Sequence, residues 1–134
     1  MPKIKLVCII DDDPLYIFGM KKILEYTSLA EESLFYKNGQ EAIDGLTDRE
    51  KMGEPFPNVI LLDINMPIMN GWTFLEKFAE KDFKEEVKIF MVSSSIDKEE
   101  VDKAHDNSLI NGYIFKPMTI EKIKTLKKEL EEGF

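Results

Sequence analysis

The fold class that this sequence predicts is α/β, with a mostly parallel sheet, and three observations predict it. Short apolar runs alternate with helix-like stretches five times along 134 residues, the pattern of strand–helix units wound into one sheet. The runs are rich in branched residues and show little polar alternation, as strands buried on both faces do. Chemically distinctive residues gather just after the runs, and sheets of this kind bind ligands beyond the carboxyl ends of their strands.

The elements follow in order. Residues 4–10 form the first strand, ending in Ile9-Ile10. Pro14 comes next, and proline suits the first turn of a helix, where its missing N–H is no loss. Leu15, Phe18, Ile23 and Tyr26, with Ile17 and Leu24, lie near helical spacing. Residues 32–36 read as a second, shorter strand. Asn38-Gly39 marks a turn. Residues 40–50 are helical, with Ala42, Ile43 and Leu46 on one face. Gly53, Pro55 and Pro57 place a loop over 51–57, before a third strand at 59–62. A second loop, 65–71, leads to a helix at 72–81 that buries Phe74, Leu75 and Phe78. Residues 87–92 form the fourth strand and run into Ser93-Ser94-Ser95. Asp97 caps a helix reaching Asn107, and Glu99 and Glu100 suit its positive end. Residues 112–115 form the fifth strand. After Lys116-Pro117, Thr119 caps a last helix in which Ile120, Ile123, Leu126 and Leu130 recur every three to four residues.

Composition narrows the function. A chain of 134 residues is the usual size of one domain with a real core. The reading is one domain over 1–134, since little remains after the last helix for a second. Net charge is −8, which argues against a nucleic-acid surface. The lysines of the last helix alternate with glutamates and form a solvated, ion-paired face. No run approaches the roughly 18 apolar residues that span a bilayer. The start, Met1-Pro2-Lys3-Ile4, lacks a signal-peptide plan. The expected location is cytoplasmic, without membrane or nucleic-acid partners. The single cysteine, Cys8, lies in the first apolar run and reads as a buried small hydrophobe.

The chemistry sits at the strand ends. Asp11, Asp12 and Asp13 close the first run, and Asp63 closes the third. Carboxylates at the ends of two buried strands converge on one spot, and unpaired buried charge is expensive. A hard divalent cation resolves the repulsion, and oxygen ligands with open water positions suit magnesium.

With these residues in place, the chain resembles the receiver domain of two-component response regulators, of the stand-alone chemotaxis-regulator type. The resemblance rests on the acidic pair Asp11-Asp12, on Asp63-Ile64-Asn65-Met66-Pro67-Ile68-Met69-Asn70-Gly71 as a D-x-x-M-P-x-x-x-G run, on the hydroxyl of Ser93, and on Tyr113-Ile114-Phe115-Lys116-Pro117. Their joint order and spacing make the match strong. The resemblance implies a flavodoxin-like, doubly wound five-stranded sheet in the order 2-1-3-4-5 with five helices. It makes Asp63 the phosphoacceptor. Asp11, Asp12, Asp63 and the main-chain carbonyl of Asn65 become magnesium ligands. Ser93 becomes a donor to a phosphoryl oxygen, and Lys116 its counter-charge. The Lys116–Pro117 bond resembles one that is often cis. Tyr113 takes the place of a switch aromatic; its other reading is a half-buried edge-strand ring with its hydroxyl in water.

The function so implied is a signalling phosphoacceptor rather than an enzyme. It would be charged by a sensor histidine kinase or a histidine phosphotransfer protein and read by a protein effector. A phosphorelay shuttle is the nearest alternative. An aspartate-nucleophile phosphatase fits Asp11-x-Asp13 but expects Thr or Val where Leu15 stands. A phosphorylation-independent binding module would lack the acidic pair, Asp63 or Lys116. A flavin-binding protein of the same fold would need a phosphate loop where three aspartates stand. Asp13 reads as a helix-start residue, His105 as a helix-surface residue and Trp72 as packing.

Overall fold

The computed structural model describes residues 4–133. Residues 1–3, most of the segment read above as lacking a signal-peptide plan, and residue 134 lie outside the described residues. The chain runs β1 (Leu6–Ile10), α1 (Pro14–Thr27), β2 (Glu32–Tyr36), α2 (Gly39–Met52), β3 (Val59–Asp63), α3 (Gly71–Lys81), β4 (Lys88–Ser93), α4 (Lys98–Asp106), β5 (Ile110–Phe115) and α5 (Ile120–Gly133). All four strand pairings are parallel, and the order is β2-β1-β3-β4-β5. The predicted fold class and strand order are therefore those observed.

Successive strand residues point to opposite faces, so each central run feeds two cores at once. Cys8, Ile10, Ile60, Leu62, Ile89 and Met91 pack on one face with Ala42, Ile43 and Leu46 of α2 and Phe74, Leu75 and Phe78 of α3. Val7, Ile9, Val59, Leu61, Phe90 and Val92 pack on the other with Met20 and Leu24 of α1 and Ile123, Leu126 and Leu130 of α5. That double burial explains why β1 and β3 carry no polar residue before Asp63. Cys8 is fully buried, and burial pushes its thiol far above the ordinary range, so it stays protonated.

Capping sets the helix starts. Asp13, Asn38, Asn70 and Asp97 are N-caps whose side chains accept from backbone N–H groups of the first turns. Thr119 accepts from Lys122 N in the same way at α5. Asn38-Gly39, read as a turn, is thus the cap and first residue of α2.

The structure settles the face of α1 and moves one boundary. Of the apolar residues at helical spacing in α1, Leu24 is buried beside Met20 and Thr27, whereas Leu15, Phe18 and Tyr26 are 81%, 61% and 69% exposed. This helix has apolar residues on more than one face, so spacing alone does not choose the inward one. Lys22 and Lys124 lie over the rings of Phe18 and Tyr26. The fifth strand begins at Ile110 rather than Gly112. Its register with β4 slips between Ile89 and Phe90, and the Asn111 side chain accepts from Ile89 N at 2.9 Å. A turn-like Asn-Gly pair therefore lies inside a strand, at an irregularity.

Candidate functional site

The carboxyl ends of β1, β3, β4 and β5 carry the polar residues, in their last positions or in the loops that follow. Asp11 stands one residue past β1 and is 2% exposed. Its Oδ1 accepts from Asp13 N at 2.9 Å, which ties the acidic turn to the start of α1. Asp12 faces solvent. Asp63 is the last residue of β3 and is 8% exposed. One ligand oxygen from each of Asp11, Asp12 and Asp63 lies within 4.8 Å of the others.

Lys116 reaches this cluster from the loop after β5. Its ammonium donates to Asp11 Oδ2 at 2.9 Å and lies 3.5 Å from Asp63 Oδ1. One positive charge facing three carboxylates leaves the cluster negative. Burial pushes the Asp63 carboxyl up to about 6, with the charge of Asp11 adding to it and Lys116 working against it. Burial pulls the Lys116 ammonium down, but the bond to Asp11 and the charges of both aspartates more than offset this, so its pKa lies above the ordinary lysine value.

Ser93 ends β4 and is 1% exposed. Val92, its neighbour, pairs with Asp63 across the sheet. The Ser93 hydroxyl accepts from Ser95 N at 3.1 Å, and its carbonyl accepts from Lys116 N at 2.9 Å. The Lys116–Pro117 peptide is cis. Tyr113 is half-buried against the first core, and its hydroxyl donates to the Ser95 carbonyl at 3.0 Å. The hydroxyl is thus bonded to the loop after β4 and not left to water. Asn65 is exposed in the loop after β3, two residues past Asp63. His105 is exposed on α4, and Trp72 packs half-buried under Lys103.

The glycine of the D-x-x-M-P-x-x-x-G run has a steric reason. A Cβ on Gly71 would lie 2.5 Å from the carbonyl oxygen of Asp63 and 3.0 Å from Ile64 Cα. Gly71 N donates to Ile64 O at 2.8 Å. The helix start is therefore pressed against the backbone that presents Asp63. Ile68, in the same loop, has φ 68°, a left-handed conformation that costs a β-branched residue about 1–2 kcal/mol.

One residue at the site was not singled out from the sequence. Tyr16, in the first turn of α1, lies with its ring 4.2 Å from Lys116 Nζ. The signal was its place: the first turn of a helix that starts at the acidic cluster can face back onto it.

The family model described as response regulator receiver domain matches residues 7–128. The chain belongs to this family. Among curated proteins, the receiver domain is 33% identical to a chemotaxis protein CheY homolog of Campylobacter jejuni, over 84% of this chain and 82% of that protein. It is 32% identical to the nitrate/nitrite response regulator protein NarL of Escherichia coli, over 86% of this chain. The match spans only 49% of NarL. Among solved structures, a two-component response regulator from Cytophaga hutchinsonii superposes with a TM-score of 0.85 at 30% identity, covering 97% of this chain and 98% of that one. Among the described residues of this receiver domain, no helix is long and apolar enough to cross a membrane.

Proposed function

We propose that Asp63 accepts a phosphoryl group from a phosphohistidine on a partner, either a sensor histidine kinase or a histidine phosphotransfer protein, in a magnesium-dependent reaction in the cytoplasm. The observation that carries this reading is the convergence of Asp11, Asp12 and Asp63 within 4.8 Å, with Lys116 bridging Asp11 and Asp63. Three oxygen donors, one of them solvent-facing, fit a hard divalent cation that keeps water ligands. Burial, with the charge of Asp11 beside it, raises the Asp63 pKa, and a bound cation would relieve both.

Asp11, Asp12, Asp63 and the Asn65 carbonyl would hold the ion. Bound there, magnesium neutralises charge on the phosphoryl oxygens. The Asp63 carboxylate attacks phosphorus in line. A P–O bond forms to Asp63, the P–N bond to the donor imidazole breaks, and its electron pair returns to the ring. Lys116 then pairs with the phosphoryl group as a compact positive charge. The Ser93 hydroxyl turns from Ser95 N to donate to a phosphoryl oxygen. Ser95 also receives the Tyr113 hydroxyl, so movement of this loop reaches the surface formed by α4, β5 and α5. A protein effector reads that surface.

The test is binding of beryllofluoride, an acyl-phosphate mimic, followed by amide NMR. Saturable binding that requires magnesium and disappears in Asp63→Asn is expected. Binding that survives Asp63→Asn would remove Asp63 from its role.

A further inference from the structure

Lys116 stands among three partners, and two of them are the carboxylates that a metal ion would claim. The third is the face of Tyr16, whose ring centroid lies 4.2 Å from the ammonium. A cation that close to an aromatic face is attracted by the ring quadrupole, more strongly where water is kept away. The Lys116 side chain is only 20% exposed. The ring is also fixed from behind, since Tyr16 packs against the core formed by α1 and α5. Its neighbour Met20 is buried there. Leu15, Tyr16, Met20, Lys116, Pro117 and Met118 share one groove that opens beside the cluster.

The tyrosine hydroxyl is not what holds the ring. Among the described residues it is the one buried side-chain oxygen or nitrogen with no hydrogen-bond partner. Tyr16 therefore acts on Lys116 through its face, while the hydroxyl contributes no bond in the resting protein.

Resting on the phosphoacceptor reading, we propose that Tyr16 is a positioning residue for Lys116: its ring keeps the ammonium beside Asp63 when the carboxylates turn to magnesium. Ion pairs to Asp11 and Asp63 hold Lys116 in the metal-free site. Once both carboxylates coordinate a cation, those pairs weaken, and a flexible four-carbon side chain would drift into solvent. A π face competes with neither the cation nor the phosphoryl oxygens, so it can hold Lys116 through the whole cycle. The arrangement keeps the counter-charge in place before the phosphoryl group arrives, and it adds no further charge to the site.

The experiment compares Tyr16→Phe with Tyr16→Leu and Tyr16→Met, the last an adaptable side chain that fills irregular space. Two quantities are read: magnesium-dependent beryllofluoride affinity, and the NMR shifts of the Lys116 side-chain methylene protons, which a ring face displaces upfield. Tyr16→Phe keeps both. Tyr16→Leu and Tyr16→Met lose the upfield displacement and bind about ten-fold more weakly. If a variant without the ring binds like the parent, the proposal is overturned. It is equally overturned if Tyr16→Phe falls as far as the others, because the hydroxyl would then be the acting group. Failure of the parent to bind beryllofluoride would remove the phosphoacceptor reading instead, and the Lys116 shifts would still report the ring contact in the unliganded protein.

Discussion

At the scale of single residues, Asp63 carries a cost of burial. Its folded carboxyl is pushed up to about 6, whereas an unfolded aspartate titrates near pH 3.9. Between those values the folded chain binds more protons than the unfolded one. Stability from this group is therefore fully present below about pH 4 and is lost as pH rises through about 6. Asp63→Asn removes the buried charge. In metal-free buffer it should be more stable than the parent by about 1–2 kcal/mol at about pH 7.5, and the gain should vanish near pH 4. Urea unfolding at the two pH values checks this, and a destabilised Asp63→Asn at the higher pH contradicts it. The placement of Asp11, Asp12, Asp63, Ser93 and Lys116 at the strand ends was legible from sequence because each ends or follows an apolar run. Tyr16 was not, because a tyrosine in a helix full of apolar residues looks like core. Only the fold shows which stripe of α1 turns toward the cluster.

At the scale of elements, backbone presses on backbone where α3 begins. The virtual Cβ of Gly71 collides with backbone atoms of Asp63 and Ile64, and backbone cannot swing aside as a side chain can. Gly71→Ala should destabilise the fold by about 1–3 kcal/mol and weaken beryllofluoride binding by displacing Asp63. Gly19, inside α1, has nothing within 4 Å of its virtual Cβ. Gly19→Ala should stabilise by about 0.5–1 kcal/mol through helix propensity alone. Thermal unfolding of the pair separates close approach from conformational freedom. Element boundaries were read best where one signal dominated. β3 is an unbroken apolar run, and Pro14 fixes the start of α1. The start of β5 was missed because Asn111-Gly112 has turn chemistry, and the strand accommodates it with a slipped register and a side-chain bond to Ile89 N. The inward face of α1 was not readable from spacing, because apolar residues occupy more than one face and Leu15, Phe18 and Tyr26 turn outward.

For the molecule as a whole, any metal bound at the acidic cluster would be linked to folding, since Asp11, Asp12 and Asp63 are brought within 4.8 Å of one another only by the sheet. Magnesium at about 100 times its dissociation constant should stabilise the parent by about 2.7 kcal/mol. Asp12 faces solvent, so Asp12→Asn should leave metal-free stability within about 0.5 kcal/mol of the parent while losing most of the magnesium increment. Calorimetry with and without the ion decides between this outcome and a purely structural Asp12. The strand order itself was anticipated from the motifs and not from periodicity, because alternating strands and helices are compatible with several windings. A last property concerns Cys8, the one cysteine of the chain. It is sealed in the core with its thiol protonated, so thiol-directed reagents find no accessible target in the native protein. Cysteines placed on α4 and β5 could carry a pair of spin labels with Cys8 left untouched, and the distance between the labels could be compared with and without beryllofluoride.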